Sequence, residues 1–509
     1  QLEHTNNTGS LNYSLFSPNG RHRFNAYASF MKVDRKSYYG GGDKTANEIM
    51  AEGKKNIEKA KDQFIENLKK ATPGISDEKI EEELAANFFP KINNGLSNED
   101  MLELNKRMAS YGRTGGLTHM FGAQYAYEMP QLLFMPATLT AGLEYTHDKL
   151  DDVSGYREAP LMQKVNTRSA FLQNEWKNNH WSILLGARLD KHSLVKDMIF
   201  SPRVNLRYNP SQAFSFRLSY SKGFRAPQIF DEDLHVDNAG GDLILSQNAP
   251  GLKEETSHSF SGSIDWYHRM GAWQLNLLAE GFYTSLVDAF SFNQKDTVVK
   301  GMKQILKIRK NSEGAKVYGL NFEGKIAYLN TWQLQAGLTA QKSLWNKEQQ
   351  WHEDDTYKTR RMYRTPNLYA YFVSTVNFTR DFTLSISGNY TGNMLTGHEI
   401  PTEDDGSLTL FNGKPSATIH PDRMQHGKGQ TATTYGPRTF QTPSFFEMGC
   451  RLAYNFPIYN VYTMQIYAGI QNMFNAFQDD FDKGPARDSA YIYGPGMPRS
   501  FFAGVKISL

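Results

Sequence analysis

The segment 214–220 reads Phe-Ser-Phe-Arg-Leu-Ser-Tyr, and its side chains alternate strictly between apolar and polar. In an extended strand neighbouring side chains point to opposite faces, so this spacing predicts a β-strand with one apolar and one polar face. The same alternation recurs in segments 259–266, 332–341, 382–389 and 501–509. Repetition of such strands along the chain predicts an all-β protein.

The composition of the 509-residue chain leaves two all-β classes open. Hydrophobic residues make up 39% and aromatic residues 13%, yet the mean hydropathy is −0.58. No segment approaches the ~20 consecutive apolar residues that a membrane-spanning helix needs. The chain is therefore either a large soluble β protein or a transmembrane barrel whose apolar outer face alternates with a polar lumen.

The lengths of the links between strands distinguish these two classes. Short links occur at Ser17-Pro18-Asn19-Gly20, Asn209-Pro210-Ser211, Met270-Gly271-Ala272, Asn330-Thr331 and Thr379-Arg380-Asp381. Long polar segments follow one strand later, at 37–115, 224–257, 288–315, 402–439 and 480–496. Short turns at one end and long loops at the other predict a transmembrane antiparallel β-barrel. Aromatic residues beside the short turns predict an interfacial girdle, namely Phe214, Trp273, Trp332 and Phe382.

The strand count predicts that the strands of residues 1–509 do not close a barrel by themselves. Roughly seventeen strands can be counted, and the first and last both run toward the short-turn end. An odd count with these directions does not fit an even-stranded barrel. We therefore expect a barrel of the 22-stranded type whose first strands precede Gln1.

Residues 45–110 depart from β periodicity and read as helical. Apolar residues recur there at near-helical spacing, namely Ile49, Ile57, Phe64 and Leu68. Ser76 and Ser97 precede acidic first turns, as helix N-caps do. The pattern predicts about three short helices inserted in one extracellular loop. They form either a solvated cap on the loop or a docking surface for a partner or ligand.

Charge and cysteine content exclude several classes of function. The 56 basic and 53 acidic residues give a net charge of +3, and no basic stripe indicates a nucleic-acid partner. Cys450 is the single cysteine, so the chain holds no internal disulfide or cysteine-based metal cluster. No phosphate-binding loop, zinc-binding helix or nucleophile elbow stands in its proper context. We therefore expect no enzymatic activity and no cofactor.

Five motifs resemble those of the TonB-dependent outer-membrane receptors. They are Ser-Tyr-Ser-Lys-Gly-Phe-Arg-Ala-Pro at 219–227, Asn-Ala-Pro-Gly-Leu-Lys-Glu-Glu-Thr-Ser at 248–257, Asn-Phe-Glu-Gly at 321–324, Ile-Gln-Asn-Met-Phe-Asn at 470–475 and Pro-Arg-Ser-Phe at 498–501. The resemblance implies that residues 1–509 are the receptor β-barrel domain of a Gram-negative outer-membrane protein. Residues 45–110 are then a helical extracellular loop insertion within it. The plug domain and TonB-binding box of such receptors are not recognisable in the sequence.

The resemblance implies an active importer that captures a scarce, bulky nutrient and uses energy delivered by TonB through the plug. An iron complex, either a siderophore or haem, is the expected cargo. Cobalamin, peptide or glycan import is the alternative, and a passive porin-like channel is a further one. The expected partners are TonB, the iron complex, outer-membrane lipid and lipopolysaccharide, with a surface lipoprotein as a further candidate.

The loop after residue 223 contains the first candidates for ligand binding. They are Phe224 and Arg225 in the 219–227 motif, followed by Phe230, Asp233 and His235. In haem receptors of the family a histidine between the two motifs can ligate the iron, so His235 is the candidate haem ligand. A neutral imidazole suits haem iron. The alternatives are a solvated histidine and a loop-shaping role for residues 224–227.

Two further groups of residues are candidates. Tyr491 and Tyr493, with Phe230, have rings that could stack on a planar ligand or pack the loops together. A polar cluster between 391 and 427 contains His398, Glu399, Glu403, Asp404, Asp405, His420, Asp422 and His426. Its spacing matches no fixed ligand pattern, which favours a polar loop over a metal site. Lumen-facing Arg217, Asp265 and Glu280 are expected to hydrogen-bond the plug rather than the ligand.

Overall fold

The computed structural model describes most of the chain. The described residues are 2–38, 46–89, 96–97, 104, 111–154, 160–229, 243–299, 302–350, 357–401, 411–412, 435–458, 462–481 and 491–508. Among them one sheet has 18 strands. One of these, β16 (Thr359–Arg361), adds only two paired positions to its neighbour. The remaining 17 strands (18 less one) form the barrel wall.

The wall strands pair antiparallel in chain order. They are β1 (Leu2–Phe16), β2 (His22–Tyr38), β3 (Tyr111–Leu132), β4 (Met135–Ser154), β5 (Leu161–Lys177), β6 (Trp181–His192), β7 (Ile199–Tyr208), β8 (Phe214–Arg225), β10 (Glu255–Met270), β11 (Trp273–Val287), β14 (Ala315–Tyr328), β15 (Trp332–Gln349), β17 (Leu368–Asn377), β18 (Phe382–Thr391), β22 (Phe445–Ile458), β23 (Tyr462–Gln471) and β24 (Ser500–Ser508). Each is hydrogen-bonded to the next in this order. In the described pairings β1 has only β2 and β24 has only β23 as a neighbour. The predicted all-β antiparallel architecture and its count of about seventeen strands are confirmed.

Tight turns join the strands at one end of the wall. Met270 pairs with Trp273, so only residues 271–272 connect β10 to β11. Gly271 has φ +57°, the left-handed conformation that a two-residue hairpin requires and that glycine adopts without steric cost. The long loops lie at the opposite end, which we call the loop end. The predicted asymmetry of turn and loop lengths is confirmed.

Apolar side chains cover the outer face of the wall and remain exposed there. Leu218 is 60%, Leu143 66% and Phe501 78% exposed. Moving one such side chain from water into hydrocarbon contributes about 1.5–3 kcal/mol. This face is therefore the lipid-contacting surface, and the alternation in the sequence places it there.

Ring pairs line the short-turn end of the outer face. They join Trp273 to Tyr328 and Trp332, Phe214 to Trp266, and Phe382 to Phe378, with ring centroids 4.7 to 6.2 Å apart. Trp181 and Tyr208 stack at 4.2 Å on two neighbouring strands of the same end. Amphipathic rings at strand ends occupy the headgroup level of a membrane. Each of the four predicted girdle residues takes part in one of these ring pairs.

Two small sheets are built from the long loops. The first contains β9 (Leu243–Asn248), β12 (Phe290–Val299) and β13 (Met302–Asn311), with β9 parallel to β13. The second contains β19 (Leu395–Pro401), β20 (Phe411–Asn412) and β21 (Tyr435–Gln441). The first sheet therefore joins the loop between β8 and β10 to the loop between β11 and β14. Backbone groups of these described strands are satisfied by pairing with each other.

Helices lie between β2 and β3. The 26-residue α1 (Ala46–Ala71) is followed by α2 (Asp77–Glu83) and by one π-helical turn, Leu84–Phe88. Ser76 caps α2 by accepting a hydrogen bond from the backbone N–H of Lys79. Ile80, Leu84 and Phe88 form a small core against α1, including Ile57 and Phe64. The helix predicted after Ser97 falls largely outside the described residues. No helix in the described part of the chain is long and apolar enough to cross a membrane.

Substitutions on the two faces of β8 test which face of the wall contacts lipid. Leu218→Lys places a charge on the lipid face and is expected to lower the free energy of unfolding by about 2–4 kcal/mol. Ser219→Lys changes the adjacent lumen-facing residue and loses one hydrogen bond to Ser261, worth about 1 kcal/mol. Equilibrium unfolding in lipid vesicles measures both changes. Equal losses at the two positions would contradict the assignment of the faces.

Candidate functional site at the loop end

The 219–227 motif ends β8 and turns inward to the loops. Phe224 packs against a buried cluster of Val195, Ile199 and Ala226. Ala226 is 7% exposed, so apolar contacts with the β6–β7 connection hold this turn in place. The Phe224 ring therefore packs at the base of the loop, and its predicted contact with a ligand stays a prediction.

Two arginines and two aromatic rings meet beside this turn. The Arg225 guanidinium lies 5.8 Å from the Phe290 ring centroid. The Arg309 guanidinium lies 5.5 Å from the Phe290 ring and 5.3 Å from the Phe292 ring. Arg309 is 3% exposed, and its Nη1 donates to the backbone oxygen of Gln228 at 3.0 Å. Aromatic faces attract these cations most strongly where water is excluded.

The 248–257 motif joins the same assembly through polar contacts. Asn248 Nδ2 donates to the backbone oxygen of Pro227 at 2.7 Å, which ties the two motifs together. The backbone N–H of Phe290 donates to Glu255 Oε2, also at 2.7 Å. Both motifs are therefore fixed to the loop between β11 and β14. We refer to these contacts and the arginine–phenylalanine stack together as the motif clasp.

Several candidates from the sequence cannot be placed. Phe230, Asp233 and His235 lie outside the described residues, as do Glu403, Asp404, Asp405, His420, Asp422 and His426. The side chain of Glu399 also lies outside them. Among the residues that are described, no group of three or more histidine, cysteine, aspartate and glutamate side chains is arranged to hold a metal ion. The role of His235 as a haem ligand stays a prediction.

Tyr491 and Tyr493 lie in the interior of the loops. They are 1% and 5% exposed, and their hydroxyls donate to the two carboxylate oxygens of Asp480 at 3.0 and 2.8 Å. Gln478 bonds to the backbone of both tyrosines. The ring of His398, from the loop between β18 and β22, stacks on Tyr491 at 3.7 Å and 10°. A ligand could reach these two tyrosines only after the loops separate.

The buried carboxylate and the surrounding apolar side chains set the protonation of this cluster. Met394 and Phe445 pack with the two tyrosines in one core. Burial, followed by the hydrogen bond to Asp480, raises the pKa of the Tyr493 phenol well above its usual value. The phenol therefore stays protonated and continues to donate to the carboxylate throughout the physiological pH range.

The lumen face carries a network of hydrogen-bonded polar and charged side chains. On β4–β6, Arg188 donates to Glu144, Asp190 and Ser169 at 2.6 to 2.8 Å. Tyr27 on β2 donates to the same Glu144 at 2.8 Å. Arg188 pairs with two carboxylates, so this part of the lumen is polar and the formal charges of the three side chains sum to −1.

The three predicted lumen charges also have partners in the wall. Arg217 Nη1 lies 3.7 Å from Asp265, to which Asn276 donates at 2.5 Å. Asn321 donates to Glu280 at 3.1 Å. Arg217 and Asp265 border a lumen cavity of about 670 Å³ near the short turns. Their expected contact with a plug stays a prediction.

Sequence reasoning missed the residues that hold the loops together. Arg309 and Asp480 belong to no family motif in the sequence, and Gln478 stands in a polar loop like many others. The one local signal was the placement of Phe290 and Phe292 at alternate positions, which marks one face of a strand. Nothing local indicated that Arg309 would pair with Phe292 across β12 and β13.

The wall, its girdle and its elaborate loop end define a transmembrane β-barrel of the bacterial outer membrane. The family model described as TonB dependent receptor-like, beta-barrel, matches residues 1–473. The chain therefore belongs to the TonB-dependent receptor family, whose members are transporters and not enzymes. The resemblance inferred from the five motifs is confirmed.

The chain resembles several known proteins. The iron-regulated outer membrane virulence protein of Vibrio cholerae serotype O1 is 32% identical over 123 residues, which are 23% of this chain and 18% of that protein. The siderophore receptor PirA from Acinetobacter baumannii matches 99% of this chain with a TM-score of 0.59 and 14% identity. A ferric enterobactin receptor (PfeA) mutant from Pseudomonas aeruginosa, in complex with enterobactin, matches 100% with a TM-score of 0.58 and 15% identity. The chain spans 62% of each of these two solved receptors.

The hydrogen bonds from Tyr491 and Tyr493 to Asp480 predict that local opening of this loop becomes easier when the carboxylate is removed. Asp480→Ala leaves two buried phenol donors without their acceptor, at a cost of about 1–3 kcal/mol each. We expect amide hydrogen exchange of residues 491–494 to accelerate about tenfold or more, because local opening becomes easier. Asp197→Ala, which removes an exposed loop carboxylate, is the matched control. Unchanged exchange in the Asp480 variant would show that the carboxylate does not hold this loop.

The motif clasp predicts an energetic coupling between Arg309 and Phe292. A double-mutant cycle with Arg309→Gln and Phe292→Leu is expected to give a coupling of about 1–2 kcal/mol in unfolding free energy. The pair Arg309→Gln and Phe260→Leu is the control, since Phe260 lies on the lipid face. Coupling of the same size in both pairs would rule out the stack as its source.

Proposed function

We propose that this chain forms the barrel of an outer-membrane active transporter that captures an iron complex and delivers it to the periplasm. The choice of iron is carried by the 32% identity to an iron-regulated outer-membrane protein. Two further similar structures are the ferric citrate transporter FecA and, from E. coli K12, the ferric-catecholate import receptor Fiu. These similarities support a siderophore ahead of haem as the cargo.

The loop end supplies the capture surface in this proposal. Arg225 is a half-buried cation within the motif clasp, and ferric complexes of carboxylate or catecholate ligands carry negative charge. Phe224 shapes the turn that presents Arg225, while Phe230 and Asp233 follow it in the chain. His235 remains the proposed iron ligand should the cargo be haem.

Tyr491 and Tyr493 take a supporting role in this proposal. Their hydroxyls are committed to Asp480, and His398 stacks on Tyr491 from a second loop. The two loops are thereby held together at the barrel mouth. Opening this contact would expose two aromatic rings to a planar ligand, so the tyrosines contribute to binding when the loops rearrange.

Energy for import comes from outside this membrane, because the outer membrane holds no ATP. We propose that TonB delivers it mechanically through a plug domain, as in other receptors of the family. The barrel contributes the polar lumen through which the cargo passes. The lumen charges of Arg188, Glu144 and Asp190 all lie in ion pairs, which suits passage, since a fixed unpaired charge would trap an ionic cargo.

Radioactive iron uptake by the full-length receptor tests this function. Cells are supplied with ⁵⁵Fe as a catecholate complex, as citrate or as haem, with TonB present or deleted. We expect uptake of one complex that disappears without TonB, and roughly tenfold weaker capture by Arg225→Gln through loss of a charged contact. Lys253→Gln, a neighbouring loop cation, serves as the control.

Two results would contradict the proposal. Uptake that continues without TonB, with steady conductance in planar bilayers, would indicate a passive channel. TonB-dependent uptake of cobalamin, a peptide or a glycan, with no response to any iron complex, would retain the transporter and replace its cargo.

A further inference from the structure

His192 ends β6 at the base of the β6–β7 connection. Its side chain shares the alternation of Asp190 and opposes that of Leu189 on the outer face, so it points to the lumen side of the wall. The His192 side chain is 3% exposed. Because of this burial, the imidazole depends on protein groups rather than on bulk water for its hydrogen bonds.

Both ring nitrogens of His192 are engaged. Nδ1 accepts a hydrogen bond from the backbone N–H of Leu194 at 3.2 Å. Nε2 lies 3.2 Å from the side-chain oxygen of Gln228. A ring nitrogen that accepts a hydrogen bond carries no proton, so Nε2 carries the proton and donates to Gln228. These contacts therefore fit the neutral imidazole and not the charged one.

One of these bonds connects His192 to the motif clasp. Gln228 directly follows the motif at the end of β8, and its backbone oxygen accepts from Arg309 at 3.0 Å. The backbone N–H of Ile229, the next residue, donates to Gln163 Oε1 on β5 at 3.0 Å. The segment just past the motif is thus tied by hydrogen bonds to β5, to β6 and to the clasp.

The other bond sets the shape of the β6–β7 connection. The backbone N–H groups of Leu194 and Val195 both donate to His192, one to Nδ1 and the other to the backbone oxygen. Val195 is 6% exposed, and its side chain packs with Ala226 and Phe224. Loss of the Leu194 bond therefore loosens the surface against which the turn after β8 packs.

Two carboxylates are placed to stabilise a charged imidazole. Burial opposes a positive charge on the His192 ring, whereas Asp148 on β4 and Asp190 on β6 favour it. Asp190 Oδ1 accepts from Ser169 and Arg188, but its Oδ2 is buried and has no hydrogen-bond partner among the described residues. The surroundings thus offer a charged ring a carboxylate oxygen that the neutral ring does not use.

The other charged groups near this site belong to the connection and to the clasp. Lys191 Nζ donates to two backbone oxygens of the β6–β7 connection. Arg309 stacks on two phenylalanine rings of the motif clasp. Lys196 and Asp197 are exposed to solvent. A change of charge at His192 therefore acts first on the two buried-side carboxylates and on the Leu194 bond.

We propose that His192 is a proton-sensitive contact that holds the turn after β8 against the wall. A proton taken up from solvent binds Nδ1, which then faces the Leu194 N–H as a second donor, so the bond between them is lost. The charged ring is drawn to the free oxygen of Asp190, and the β6–β7 connection separates from Phe224 and Ala226. The turn opens as the pH falls from about 7 to about 5, the range in which histidine changes its charge.

This contact acts on the barrel mouth whatever the cargo is. The turn that it holds carries Arg225. If Arg225 captures the cargo, as the proposed function has it, the same opening weakens capture at acid pH.

Backbone hydrogen exchange of the full-length receptor in lipid nanodiscs, measured from about pH 7.5 to about pH 5, tests this proposal. Each exchange rate is divided by the intrinsic rate at the same pH, which removes the effect of pH on the exchange chemistry. We expect the protection of residues 193–195 and 225–229 to fall about tenfold or more on acidification, because local opening becomes easier. His192→Gln places an uncharged donor and acceptor at this position and is expected to show constant protection.

His180→Gln is the matched control. His180 lies at the short-turn end, where its Nδ1 contacts the backbone oxygen of Asn209 at 2.9 Å. This variant is expected to keep the response of the unaltered receptor. Nuclear magnetic resonance of ¹⁵N-labelled histidine follows the protonation of His192 directly, and its midpoint should coincide with the midpoint of the loss of protection.

Several results would overturn the proposal. They are constant protection through the His192 midpoint, an equal pH response in His192→Gln, and a His192 ring that stays neutral down to about pH 5. Circular dichroism identifies a variant that fails to fold, and in that case the two midpoints of the unaltered receptor decide. None of these measurements involves cargo or TonB, so their failure leaves the proposed function untouched.

Discussion

Hydrocarbon offers no hydrogen-bond partner to a peptide group, and each unsatisfied backbone group there costs several kcal/mol. The barrel wall meets this constraint by pairing neighbouring strands along their length. The ladder between β3 and β4 runs from Gly112 with Ser154 to Leu132 with Met135. Once neighbouring strands are hydrogen-bonded in this way, successive side chains must point alternately to the lipid and to the lumen. The apolar outer face and the polar inner face both follow from this pairing.

The rigid wall leaves function to the loop end. Within the described part of the long loops, backbone groups are paired in the small sheets β9–β13–β12 and β19–β21. Side-chain contacts then lock one loop to another. Arg309 stacks on Phe290 and Phe292 near one motif, and Asp480 holds Tyr491 and Tyr493 near another. These contacts lie in the loops and not within the ladder of the wall.

Charge is distributed differently on the three surfaces of the barrel. Lumen cations such as Arg188 have carboxylate partners in the wall, which keeps the passage polar and its charges paired. At the mouth, the cationic side chain of Arg225 lies near an aromatic ring. On the outer face of β4–β6, Lys164 and Arg168 instead lie opposite Lys149 and Lys191 on the neighbouring strands.

The sequence by itself determined the barrel, its loop asymmetry and its family, because period-two alternation and turn residues are local properties of the chain. It also located Phe224 and Arg225 at the end of β8. Only the tertiary structure decided that Tyr491 and Tyr493 are buried and that His398 stacks on Tyr491. It alone set Arg309 against Phe290, and Lys164 against Lys149. Those contacts depend on strand register and loop packing, which bring together residues far apart in sequence.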